Sequence, residues 1–215
     1  MPRYIALFKP YGVLSSFTHE VQPGERETKR TLSEFGLPKG VYAAGRLDYD
    51  SEGLLILSDD GAFIHRLTDP RYKLPKVYWA QVEGVPTPEA LARLQRGVVV
   101  KGYRTRPCQA RIIAEPTLPP RGKPVTPHGP TTWLEIVLTE GKKRQVRHMT
   151  AAVGLPTLRL VRVQIGPINL GDLQPGQWRD LAKEEVAPII RRSYHSAHPL
   201  SRDQRLQRRR NTKTT

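Results

Sequence analysis

Apolar residues along this chain come in short blocks, and most have the lengths of strands. Tyr4 to Phe8 is one such block, closed by Lys9-Pro10-Tyr11-Gly12, which reads as a strand followed by a turn. Gly53 to Leu57 has no polar interruption, as expected of a strand covered on both faces, and stops at Asp59-Asp60-Gly61. Phe63, Ile64 and Leu67 then recur at helical spacing until Pro70. Lys76 to Val82 is rich in β-formers, and Thr132 to Leu138 alternates apolar with polar residues. Leu158 to Ile165 reads as a strand with Arg159 and Arg162 on one face. Val41 to Ala44, Val98 to Val100 and Arg111 to Ala114 are shorter strand candidates.

Helices are fewer. Thr87-Pro88-Glu89 offers a cap and a first-turn proline for a helix ending at Gly97. Lys143 to Val153 carries Val146, Met149, Thr150 and Val153 on one stripe, and Gly154 ends it. A last helix is expected over Glu184 to Ile190, and a weak helical patch lies around Leu32 and Phe35. Residues 115 to 130 hold six prolines and read as an irregular loop. Strands interleaved with few helices predict an α+β (mixed α/β) domain over residues 1–190. Its sheet should be central and largely antiparallel or mixed.

Charge changes this picture more than composition does. Lys and Arg number 35 against 20 Asp and Glu, a formal net charge of +15. An excess of that size points to a polyanionic partner, nucleic acid first. Seven of those charges, net, fall within residues 191–215, a segment with few large apolar side chains. It reads as a flexible basic tail suited to phosphate contacts, or simply as a solvated terminus. A single cysteine, Cys108, excludes an intrachain disulfide framework and a multi-cysteine zinc site. No apolar run approaches the roughly 20 residues of a membrane helix, and the N-terminus lacks signal-peptide anatomy. A cytoplasmic protein without a membrane partner is the expectation.

Three segments could carry chemistry. In Gly45-Arg46-Leu47-Asp48-Tyr49-Asp50-Ser51-Glu52-Gly53, acids precede the apolar strand, where a carboxylate can sit at the lip of a sheet. Each acid taken singly reads equally well as a turn residue. Lys76 and Tyr78 alternate on a strand and so share a face, where a phenol beside a cation suits base stacking or proton transfer. A tyrosine there also suits a core. Glu140-Gly141-Lys142-Lys143-Arg144-Gln145-Val146-Arg147 leads a basic turn into a helix, which is a candidate anion site or a solvated basic face. The six histidines show no metal-ligand spacing, no glycine-rich phosphate loop is present, and Ser15-Ser16 lacks a nucleophile motif. Cys108 reads as a small buried residue.

Taken together and in this order, GRLDYDSEGLLIL, KVY and EGKKRQVRHM resemble the motifs of the ribosomal pseudouridine synthases, and LRLVRVQIGPINLGDLQPGQWRDL resembles that family's closing segment. The resemblance spans about residues 3 to 185. It implies a pseudouridine synthase fold and isomerisation of a uridine in ribosomal RNA with no cofactor and no metal. Most of the group carry a small S4-like RNA-binding domain ahead of the catalytic body. Here the chain starts at the first catalytic strand, a feature of one branch of the group, which acts on 23S rRNA. The implied partner is therefore 23S rRNA or a large-subunit precursor, met by a monomer.

Residue by residue, the resemblance makes Asp48 the catalytic carboxylate. Tyr78 becomes the tyrosine that stacks on the base, and Arg147 the arginine that pairs with the carboxylate. Arg46 matches the arginine that helps fill the gap left by a flipped nucleotide. Lys76, Arg144, Lys142 and Lys143 are expected to meet RNA. Flipping is required because C1′ and C5 are out of a carboxylate's reach inside a stacked helix. The alternatives are a non-catalytic rRNA-binding or ribosome-assembly factor on the same scaffold and, on charge alone, a DNA-binding module. A pure binder has no need of Asp48, Tyr78 and Arg147 together, and no helix-turn-helix or zinc-finger spacing supports the second.

Overall fold

The computed structural model describes residues 1–19, 21 and 28–193. All but the first three residues of the basic segment 191–215 therefore lie outside the described residues. A nine-stranded sheet runs through the molecule. Its strands are β1 (Tyr4–Lys9), β2 (Tyr42–Ala43), β3 (Glu52–Ser58), β4 (Lys76–Glu83), β7 (Gln109–Ile113), β8 (Thr131–Leu138), β9 (Thr157–Ile165), β10 (Ile168–Asn169) and β11 (Trp178–Asp180). The main path is β11-β1-β3-β9-β4-β8-β7, with β2 on β3 and β10 on β9. Strands β5 (Val99–Val100) and β6 (Tyr103–Arg104) form a separate hairpin. The helices are α1 (Gly61–Thr68), α2 (Pro88–Arg96), α3 (Gln145–Ala151) and α4 (Lys183–Ile190).

Every strand pair in the large sheet is antiparallel except β3 with β9, which are parallel over only two registered pairs, Glu52↔Val161 and Gly53↔Arg162. This narrow parallel joint unites two antiparallel halves, one built on β1 and β3 and the other on β4, β8 and β9. The joint depends on Gly53. Its φ is +101°, and a Cβ there would overlap the carbonyl oxygen and amide nitrogen of Arg162.

β3 is buried along its whole length, as its unbroken apolar run predicts. Leu54 and Ile56 pack with Ala6, Phe8, Phe63, Leu67, Val161 and Ile189 on one face, whereas Leu55 and Leu57 meet Ile5, Leu7, Val13, Leu32 and Leu47 on the other. The second half has its own cluster, in which Leu94 of α2 and Val146 and Met149 of α3 cover Ala80, Leu134, Ile136 and Leu160. Thr87 caps α2 through the Ala90 amide with Pro88 at the first turn, and Asp60 caps α1. No helix among the described residues is long and apolar enough to cross a membrane.

Two expectations need correcting. The helix read over Lys143–Val153 is shorter. Arg144 precedes it in the left-handed region at φ +54°, so α3 begins at Gln145. The amide of Lys142 is held by the Gln145 side chain at 2.9 Å and so is not open to an anion. Arg159 and Arg162 do not share a face. They register with Gln81 and Tyr78 across an uninterrupted ladder, and a three-residue step on a strand reverses the side chain.

Candidate active site

A cavity of about 490 Å3 opens beside the joint between the two halves of the sheet. The segment before β3 contributes Arg46 and Asp48, β4 contributes Lys76 and Tyr78, and β9 contributes Arg162. The turn into α3 adds Lys142, Lys143 and Arg144, and Leu138, Val146, Leu160 and Ile165 supply apolar wall. The charged groups are layered by depth. Arg46, Lys142 and Lys143 are exposed, Asp48 and Lys76 are partly buried, and Tyr78 and Arg162 are buried. Lys76 and Tyr78 do share a face.

The segment carrying Asp48 is held from several sides. The Asp48 carbonyl accepts from the Ser51 amide at 3.0 Å, closing a turn. Ser15 brackets the preceding residue, donating to Leu47 O at 2.9 Å and accepting from Leu47 N at 3.0 Å. The Gly12 amide donates to Tyr49 O at 2.9 Å. Arg144 grips Asp50 with both terminal nitrogens at 2.7 and 2.9 Å, and Arg147 donates to the Asp50 carbonyl at 2.7 Å. A backbone this constrained holds its side chains in fixed directions at little entropic cost on binding.

These contacts revise the part expected of the arginines. Arg147 meets the Asp50 carboxylate, its Nε 3.4 Å from Oδ2, and does not lie among the residues lining the cavity. Asp48 is not within ion-pair distance of it among the described residues, but the Asp48 charge still acts favourably on both Arg147 and Arg144. The Asp48–Ser51 turn carries Asp48 to the cavity wall and Asp50 to Arg144 and Arg147. Arg144, expected at RNA, is likewise engaged by Asp50. Burial works against the Asp50 charge, but the Arg144 bonds and the Arg147 charge outweigh it and hold its carboxyl below the usual range.

Two lysines are held in unusual states. Lys9, fully buried on β1, donates to Val13 O at 2.7 Å and Pro10 O at 2.9 Å. Burial pushes its ammonium down to about 7, against the pull of Glu52, Asp50 and Asp48. Burial, aided by the Arg162 charge, pushes Lys76 down to about 8. Lys142 lies over the Tyr103 ring, 3.5 Å from its centroid, so the β5–β6 hairpin braces one side of the mouth. Cys108 is half-buried, with its thiol bonded to Leu94 O at 3.2 Å and pushed up to about 11, mainly by burial.

Sequence reasoning missed Ser15, Asp50, Lys9 and Arg162. Lys9 and Arg162 carried a detectable signal, a charged side chain within an apolar strand. Ser15 and Asp50 carried none, since their parts depend on contacts more than 30 residues away.

The three segments that line the cavity also carry the family pattern, and the family profile described as RNA pseudouridylate synthase matches residues 3–152. The chain belongs to the RNA pseudouridylate synthase family. It is 58% identical over 178 residues to a ribosomal large subunit pseudouridine synthase E of Xanthomonas campestris pv. campestris, covering 81% of this chain and 93% of that one. Identity to the protein of that name in Vibrio vulnificus is 50% over 183 residues, covering 84% and 76%. A crystal structure of a pseudouridylate synthase superposes with a TM-score of 0.72 at 26% identity, covering 88% of this chain and 74% of the other. In this pseudouridylate synthase, three segments far apart in the chain thus meet at one cavity. Arg162 lies beyond the residues the profile matches.

Proposed function

We propose that this enzyme converts one uridine of 23S ribosomal RNA to pseudouridine, with Asp48 as the catalytic carboxylate. One observation carries the reading. The Asp48 carboxylate lines a cavity with Tyr78, Lys76 and Arg162, yet makes no hydrogen bond or ion pair to any described residue. A carboxylate fixed by its backbone and left free at its oxygens suits work on a substrate.

The flipped nucleotide enters past Arg46, Lys142 and Lys143, whose exposed cations face the backbone phosphates, and Arg46 helps fill the place the base has left. The uracil stacks on Tyr78. Asp48 drives cleavage of the C1′–N1 bond, either by attack at C1′ or by removal of the 2′ proton. The detached uracil turns and C5 bonds to C1′, as the Asp48–C1′ bond breaks on the first route or as the 2′ proton returns on the second. C5 then loses its proton, with Tyr78 a candidate acceptor, and N1 gains one, which completes the isomerisation. Arg144 and Arg147 serve by holding the Asp48 segment through Asp50. Flipping costs a few kcal/mol, which phosphate contacts offset. We assign residues 1–190 to this catalytic unit and the basic segment 191–215 to further phosphate contacts. The enzyme acts as a monomer in the cytoplasm, on 23S rRNA or a large-subunit precursor.

Similarity to ribosomal large subunit pseudouridine synthases supports this substrate. Incubating the protein with 23S and 16S transcripts and mapping pseudouridine by carbodiimide modification and primer extension tests it. A single modified 23S uridine is expected. Modification confined to 16S RNA, or none in either, overturns the assignment.

A further inference from the structure

Arg162 is only 4% exposed, and its Nε donates to Leu54 O at 2.8 Å. Its Nη2 is buried and has no hydrogen-bond partner, and no carboxylate among the described residues lies within ion-pair distance. A buried guanidinium is a donor with no acceptor capacity, and leaving such donors unmatched is costly. The side chain nevertheless lines the cavity, directly opposite Tyr78 in the β4–β9 register. The Cβ atoms of directly opposed residues stand about 5 Å apart. A base lying on the Tyr78 ring is therefore a neighbour of the Arg162 side chain.

The depth of the group identifies its ligand. Phosphates are served at the mouth by exposed Arg46, Lys142 and Lys143. The floor, made of Tyr78, Arg162 and apolar Leu160 and Ile165, is where a base goes. Uracil offers two carbonyl oxygens, O2 and O4, which are acceptors. The turn that brings C5 to C1′ is a half-rotation about the N3–C6 axis, which exchanges N1 with C5 and C2=O with C4=O. An oxygen therefore occupies the same place before and after the turn.

We propose that Arg162 holds this oxygen, binding O4 of the target uracil before the turn and O2 after it, and so selects uracil over cytosine. This rests on the activity proposed above. Cytosine would present its N4 amino group, a donor, to a donor. One guanidinium can thus steady the detached base in both orientations, with Tyr78 as the plane in which it turns.

The test is single-turnover conversion of a 23S fragment whose target carries uridine, 4-thiouridine or 2-thiouridine, with wild type, Arg162→Met and Arg162→Lys, read by nucleoside chromatography. Loss of a charge-assisted bond should slow uridine conversion by Arg162→Met about ten- to a hundredfold. Sulfur accepts hydrogen bonds weakly, so both thio substrates should be slower than uridine in the wild type. The oxygen-to-sulfur rate ratio should shrink about tenfold in Arg162→Met. Arg162→Lys, which keeps a charged donor in similar space, should fall between and decides the matter on the same ratio if the Met protein does not fold. Equal ratios in variant and wild type overturn this proposal alone. Failure of the wild type to convert uridine at all overturns the proposed activity, and this inference with it.

Discussion

Arg159 and Arg162 stand three residues apart on β9, both more than 90% buried, and yet they live in opposite circumstances. Arg159 meets the Glu52 carboxylate through Nε and Nη2 at 2.8 to 3.1 Å, and Nη2 also donates to Pro119 O. Arg162, on the other face, has one carbonyl and a cavity. The first pattern is that of a structural charge, since a buried guanidinium matched to a buried carboxylate fixes its neighbours. The second is that of a group kept for one. Burial and residue type do not separate them, and only the inventory of partners does.

The largest expected effect breaks the structural side. Arg159→Ala leaves Glu52 buried without its partner and should cost about 3–5 kcal/mol of stability in urea titrations. The turnover of the protein that remains folded should be near the wild-type value. Arg162→Met should do the reverse, changing stability by only about 1 kcal/mol, because relief of an uncompensated charge offsets the lost bond to Leu54. Equal stability losses in the two would erase the contrast.

Gly53→Ala strikes the joint beside both arginines. Strain at positive φ and overlap with the Arg162 backbone together should cost about 2–4 kcal/mol. Activity should fall further than Arg159→Ala lowers it at matched stability, since the Arg162 backbone must shift. A melting temperature and rate equal to wild type would mean that the parallel joint is looser than its geometry implies.

The smallest effect sharpens the comparison through Lys76. Its folded-state value of about 8 lies below the ordinary 10.5. The unfolded chain therefore holds more protons between those values, and stability should rise with pH through that window. The cost of the charged, buried ammonium is fully present below pH 8. The slope assignable to Lys76 is about 1 kcal/mol per pH unit, and Lys76→Met should remove it. Because the Arg162 charge contributes to the lowering, Arg162→Met should move the window upward, whereas Arg159→Met should leave it in place. Urea midpoints between pH 7.5 and 9.5 would show this.

Much of the fold is written in local pattern. The unbroken Gly53–Leu57 run, the Thr87-Pro88 cap and the alternation at Thr132–Leu138 appear as β3, α2 and β8 because each element's burial is set by its own residues. The failures lie where a distant contact decides. Nothing near Arg144 foretells its left-handed backbone or its grip on Asp50, 94 residues away. Charge alone groups the two arginines of β9, whereas strand alternation separates them and puts Lys76 and Tyr78 on one face.

Asp48 is the group on which cleavage of the glycosidic bond depends, while Arg46, Lys142 and Lys143 bind the RNA. Asp48→Asn keeps the side chain's shape and removes its charge. Release of tritium from a 23S fragment labelled at C5 of uridine, under single-turnover conditions with saturating enzyme, measures the chemistry, and filter binding on the same RNA measures affinity. No release above background is expected from Asp48→Asn, with affinity close to that of the wild type. Release near the wild-type rate would mean that Asp48 does not drive the chemistry.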